Sequence, residues 1–258
     1  PAVTTTLDAP TPSLLSPRRR WAALVVLMFP VLLISVDNTA LAFAVPALSR
    51  DLAPTGNQLL WIIDVYPLVL GALLVTMGSL GDRIGRRRIL FVGATGFAVV
   101  SALAAFSSDA VTLIAARVLM GVFGAMLMPA TLSLIRNIFA DPSERRLAIA
   151  IWAAAFSGGA ALGPLVGGWL LGHFWWGSIF LIAVPVMIPL LTFGPVLLPE
   201  SRDPEPGPID PVGIVLATSA LGFLVYAVKA ASVGNSIAVV SAAIGATALV
   251  GFVRRMLR

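Results

Sequence analysis

The feature that most limits how this chain can fold is its long stretches without charge. Residues 89–108 contain no Asp, Glu, Lys or Arg, and neither do residues 230–253 or the run from Leu147 up to Glu200. Only 11% of the chain is charged and 59% is hydrophobic, whereas a soluble domain carries about 25% charged residues. Too little polar surface is left for water, so lipid has to be the solvent. A spanning helix needs about 20 apolar residues, and in lipid each backbone polar group must be satisfied internally. The runs are continuous rather than alternating, which fits helices and not a β-barrel. The pattern predicts an all-α integral membrane protein with eight spans, roughly 21–48, 58–80, 88–107, 110–136, 146–172, 177–198, 211–229 and 236–253. The breaks carry turn chemistry, as in "APTGNQ", "SSDA", "ADPSERR" and "ASVGNS".

A net charge of +5 and a pI near 10.9 raise the question of a nucleic-acid partner. Topology explains them better, because Lys and Arg collect in cytoplasmic loops. With the amino terminus inside, fourteen cations fall on the cytoplasmic side: Arg18, Arg19, Arg20, Arg83, Arg86, Arg87, Arg88, Arg136, Arg145, Arg146, Arg202, Arg254, Arg255 and Arg258. Only Arg50 and Lys229 fall outside, and Arg117 lies within a span. No nucleic-acid partner is needed. Both termini are expected in the cytoplasm, with the chain multi-pass in the inner membrane.

The first apolar run, followed by "ALA" at Ala40 to Ala42, also resembles a secretory signal with a cleavage site. Seven further spans with consistent charge alternation favour an uncleaved helix. Cysteine is absent and there is one histidine, so neither a disulfide nor a His/Cys metal site is available. No cofactor is expected. A first residue that is Pro, and an end close behind the eighth span, suggest a processed or partial chain.

The longest polar break is "PESRDPEPGPIDP", Pro199 to Pro211. It divides the sequence into a cytoplasmic tail (1–20), a six-helix unit (21–199), a cytoplasmic linker (200–210) and a helix pair (211–258). Asp210 before Pro211 reads as an N-cap with proline at the first helical position. No sequence repeat between spans 1–3 and 4–6 is visible.

Three ionisable residues lie inside spans: Asp37, Asp64 and Arg117. Each costs about 2.5–3.5 kcal/mol at a helix centre on insertion scales. A buried ion pair of Arg117 with one aspartate would be the plainest explanation, but it leaves the other acid over. Asp64, one or two turns from its helix start, can also be interfacial. A membrane carboxylate can hold a proton or attract a cation, and the two compete for one group. That competition is the physical basis of antiport. Arg117 can favour the deprotonated form when close and release it when helices move.

In span 5, Gly159, Gly163 and Gly167 recur every four residues on one helix face, where small residues permit close packing. Pro164 removes a backbone donor and can bend the helix. The string G-x-x-x-G-P-x-x-G-G, which adds Gly168, is similar to the antiporter signature of the major facilitator superfamily. A second match is "GSLGDRIGRR", which resembles the superfamily's loop between helices 2 and 3 through Gly78, Asp82, Arg83, Gly85 and Arg86. The resemblance implies that this loop contacts the opposite half of the transporter and helps gate its inner side. Arg117 and Gly121 fit the fourth-helix motif, whose arginine is implicated in proton transfer. "VDNTALAFAVPAL" and "LWIIDVYPLVL" resemble the first and second helices of drug:proton antiporters with fourteen helices, which place Asp37 and Asp64 at acidic, cation-facing positions. That subfamily carries two inserted helices after the sixth, matching spans 7 and 8. The family also has a second six-helix domain, which this sequence lacks.

The resemblance implies proton-coupled efflux of small lipophilic, cationic drugs or dyes by a non-enzymatic transporter in contact with lipid, completed by a carboxy-terminal half. Two alternatives stand beside it: a non-transporting or truncated membrane subunit, and an exporter or importer of a neutral metabolite. No G-x-x-x-x-G-K-[ST] string is present to couple this chain to ATP. Trp61, Tyr66, Met120 and Met128 could line a cavity for flat cations or be helix packing. His173, Phe174, Trp175 and Trp176 read as an interfacial belt.

Overall fold

The computed structural model describes residues 15–203, 210–232 and 237–257. The tail before Leu15, most of the linker, residues 233–236 (within the predicted break "ASVGNS") and Arg258 lie outside the described residues. Every regular element among those described is helical. Among the described residues, eight helical stretches are long and apolar enough to cross a membrane, as the uncharged runs predict.

Five are single helices: α1 (Pro17–Asp51), α2 (Gly56–Ile84), α3 (Arg86–Ala104), α4 (Ala110–Ile138) and α5 (Pro142–His173). The sixth span is α6 (Ser178–Leu181) continued by α7 (Ala183–Leu197). The last two are α8 (Pro211–Ser232) and α9 (Ile237–Met256). Their starts follow from local chemistry. Thr55 closes a reciprocal capping box with Gln58. Asp109 accepts from the Thr112 N–H, and Asp141 accepts from those of Ser143 and Glu144. α5 runs unbroken through Pro164.

Several helices extend past the predicted spans, while the sixth span falls one residue short at each end, and the most consequential difference lies between α2 and α3. The polar "loop" predicted there is almost entirely helical, and the connection is Gly85 alone. Its φ of 116° is open to glycine and unfavourable for a residue with a Cβ, so the chain reverses in one residue.

α1 is the most enclosed helix. Leu27, Ile34, Leu41 and Leu48, seven apart, are each at most 2% exposed, a spacing that keeps side chains on nearly one stripe. α1 packs along α5 as α4 packs along α2, and α7 lies on α1 as α3 lies on α4. Exchanging the first three spans with the next three reproduces this pattern. An internal repeat invisible in the sequence therefore exists in the packing. The α8–α9 hairpin joins through α8, with Trp61 stacked on Tyr226 at 6.1 Å and Thr218 Oγ1 donating to Ala72 O at 3.2 Å. Arg255 clasps the hairpin's open end, with Nε 2.7 and 2.6 Å from the two Asp210 carboxylate oxygens.

Candidate functional site

At the centre of the bundle Arg117 of α4 meets Asp37 of α1. Arg117 Nη1 donates to Asp37 Oδ2 at 2.7 Å, with the two side chains 1% and 4% exposed. Nε donates to the Ile62 carbonyl of α2 at 3.1 Å. The guanidinium carbon stands 4.3 Å from the centre of the Tyr66 ring and 5.9 Å from that of Phe180. A buried pair with these satisfied donors holds two charges in a dry interior at little net gain in stability, but breaking it on one side is expensive.

Glycines bring these groups together. A Cβ on Gly121 would stand 2.8 Å from Val69 Cβ and 2.9 Å from Tyr66 O. One turn beyond Arg117, this glycine lets the α2 and α4 backbones approach until Ile62 and Tyr66 lie beside the guanidinium. On the other side, Gly159, Gly163 and Gly167 form the face on which α5 meets α1. Their Cβ positions would press on Ser35, Thr39 and Ala40 respectively, flanking Asp37. Ser35 Oγ also donates to Phe156 O across that seam. Gly168 belongs to the same sequence string but has nothing within 4 Å of its Cβ position, so it plays no part in this packing.

Asp64 is half-buried on α2, and the arginine's ion pair goes to Asp37. Tyr66 and Met120 are fully buried. Of the two readings for these residues, cavity lining or helix packing, both take the second, and Tyr66 lies against Gly121 and Gly124 of α4. Trp61 and Met128 are half-buried. In the aromatic cluster, Phe174 and Trp175 are exposed, as an interfacial belt requires. His173 is exposed too, with Nδ1 2.8 Å from Trp169 O. Trp176 departs from the belt: it is 5% exposed and packs edge-on against Phe180.

A second cluster gathers at the end of the bundle where α1 begins and α7 ends. Gly78 packs against Pro129 of α4. Asp82 Oδ1 accepts from Arg86 Nε at 2.8 Å, across the Gly85 reversal. The segment following α7 lies along this reversal. Arg86 N–H donates to Ser201 O and Asp203 N–H to Asp82 O, both at 2.9 Å. Glu200 Oε1 accepts from the Arg87 N–H at 3.2 Å and so occupies the amino terminus of α3, where a carboxylate is favoured. Arg83 is half-buried in the same cluster. Arg87 donates to Leu198 O at 3.0 Å, and Arg20 pairs with Glu144 at 2.5 Å. Asp82, Arg86 and Arg87 thus hold the segment that follows α7. Sequence reasoning treated Glu200 as a linker residue. Its one signal was an acid just past an apolar run, on the face already rich in arginine.

Comparison with known proteins places these motifs in context. The family model for the Major Facilitator Superfamily matches residues 27–254. The chain is 62% identical to the multidrug efflux pump LfrA of Mycolicibacterium smegmatis, over 94% of this chain and 49% of the relative. It is 43% identical to the methyl viologen resistance protein SmvA of Salmonella typhimurium, over 84% of this chain and 44% of the relative. It thus spans about half the length of the curated relatives it matches. Among solved structures, that of the peptide transporter POT in complex with sulfate aligns with a TM-score of 0.61 at 22% identity, covering 81% of this chain and 45% of the other. At that identity the likeness speaks for the fold alone.

Proposed function

This chain belongs to the major facilitator superfamily, and from that premise we propose that it forms the amino-terminal portion of a proton-coupled exporter of lipophilic, cationic drugs or dyes. The observation that carries the reading is the Asp37–Arg117 pair, 2.7 Å long and buried among membrane-spanning helices. An ionisable pair at that depth is a functional site by default. Deprotonated Asp37 holds Arg117 or attracts a cation, and a proton removes that attraction. Proton and cation therefore compete for one carboxylate. Asp64, half-buried on α2, serves as a second, cation-facing acid. Methyl viologen is a dication, so a relative named for resistance to it supports the cationic class.

The Asp82–Arg86 contact across Gly85 acts as the inner latch. A second six-helix domain completes the cavity, and both termini face the cytoplasm. The available drive is about 2.3 kcal/mol per charge per 100 mV plus about 1.4 kcal/mol per pH unit. One proton can therefore concentrate a monovalent dye only if exchange is tightly coupled.

The test is proton-driven efflux of ethidium from cells expressing the complete protein, wild type against Asp37→Asn and Asp64→Asn at matched expression. Asp37→Asn abolishes uphill efflux, and Asp64→Asn impairs cations more than neutral substrates. Continued outward concentration of dye by Asp37→Asn would overturn proton coupling through this site.

A further inference from the structure

Arg117 keeps its charge throughout, since guanidinium is not deprotonated in proteins. A proton arriving on Asp37 therefore leaves a cation that is 1% exposed without its carboxylate. Such a group must find another partner or move. Three groups other than the carboxylate lie against it: the Ile62 carbonyl at 3.1 Å and the face of the Tyr66 ring, 4.3 Å from the guanidinium carbon, both on α2, and the more distant Phe180 ring of α6 at 5.9 Å. The Tyr66 ring is held rigidly. It is fully buried, packs edge-on to Phe97 with centroids 6.1 Å apart, and lies against Gly124, whose Cβ position is 3.4 Å from Tyr66 Cε2. The Tyr66 hydroxyl, also buried, has no hydrogen-bond partner among the described residues, so no protein hydrogen bond of its hydroxyl there accounts for the placing of the ring.

We propose that Tyr66 is a positioning residue, its ring forming a second seat that keeps the Arg117 guanidinium in place when a proton neutralises Asp37. The inference rests on the reading of Asp37 as the proton-exchanging group. A cation held by its carboxylate draws little on the ring, while one deprived of it draws more, because the attraction between a cation and an aromatic face grows when competing charge and water are absent. The ring thus stabilises the protonated state of the pair more than the deprotonated one. It sets how readily Asp37 takes up a proton without touching that proton. Other ionisable groups leave this assignment unchanged. α5 between residues 147 and 172, and the whole of α6 and α7, contain no Asp, Glu, Lys, Arg, His or Tyr. Asp64 lies on α2 two residues before Tyr66, about 200° around the helix.

The experiment is an infrared titration of the complete protein in lipid nanodiscs, following the carboxyl band that disappears in Asp37→Asn. Position 66 carries in turn tyrosine, phenylalanine, and phenylalanine with one, two and three ring fluorines. Fluorine drains the negative ring face while nearly preserving shape, so packing and folding are held constant. Tyr66→Phe is expected to keep the wild-type midpoint, because the hydroxyl is unpartnered. Successive fluorines are expected to lower it stepwise, by about one pH unit in all, with ethidium efflux shifting to lower pH in parallel. A midpoint indifferent to fluorination, or one that moves with Tyr66→Phe alone, would overturn the assignment of the ring. If no band is lost in Asp37→Asn, the reading of Asp37 fails, and the inference about Tyr66 fails with it. A band that titrates normally but ignores the fluorines sinks only the Tyr66 inference.

Discussion

Replacing Gly163 with alanine adds one methyl group where α5 lies on α1, and the structure sets its consequence. The new Cβ would sit 2.8 Å from Thr39 Cβ and 3.2 Å from Ala40 N, and closer still to Thr39 Oγ1. Rotating the threonine could carry its hydroxyl away, at the expense of its hydrogen bonds to Ser35 O and Val36 O, both 3.2 Å. Rotation cannot move Thr39 Cβ, which is fixed by the backbone. Ordinary contact begins near 3.4 Å, so α1 must retreat by about 0.6 Å, the gap between 2.8 and 3.4 Å. Overpacking of this kind costs about 1–3 kcal/mol, partly offset by the roughly 0.5–1 kcal/mol that alanine gains over glycine within a helix. A net loss of up to about 2.5 kcal/mol is expected, together with weaker efflux, because the displaced turn adjoins Asp37. Thermal melting of the purified protein, followed by size-exclusion chromatography, reads the first effect. Gly168→Ala is the control. Its Cβ position is empty to 4 Å, so its melting temperature should hold or rise. Thr39→Gly combined with Gly163→Ala should recover stability by removing the atoms struck. Equal melting of the two alanine variants, or no recovery in the pair, would refute the argument.

Asp37→Leu strands Arg117 in the interior and should destabilise by about 3–5 kcal/mol, most of it recovered in the double variant with Arg117→Leu, as a double-mutant cycle by melting would show. Neither variant should transport. Gly85→Ala meets the Glu200 carboxylate oxygen at 2.7 Å and a φ of 116°. The backbone strain alone is worth about 1–3 kcal/mol, so adding Glu200→Ala should restore only part of the lost melting temperature. Because the chain has no cysteine, single cysteines report topology directly: one at Thr55 should react with an impermeant maleimide in intact cells, and one at Arg87 should not.

The arrangement of charge along α2 and α3 illustrates how far the sequence reaches. "GDRIGRRR" announces a turn because glycine and charge interrupt two apolar runs, and the turn is there. That it narrows to Gly85 and is capped by Glu200 depends on a segment more than a hundred residues away. Likewise, spacing alone puts Gly159, Gly163 and Gly167 on one face. It does not say that the face meets α1, or that Gly168 is left out of the contact.

The sequence by itself determined the solvent, the number of spans, the shared face of Gly159, Gly163 and Gly167 and the three ionisable residues inside the spans. All of these follow from local quantities: transfer energy summed along a run, and rotation per residue around a helix. Only the tertiary structure decided that Arg117 meets Asp37, that Tyr66 and Met120 are core, and that the first three spans mirror the next three in packing. Those outcomes depend on the height and rotation of one helix against another. In lipid these are set by interlocking side chains across the whole bundle, because no apolar stripe distinguishes the inside of a helix from the face it shows to the membrane.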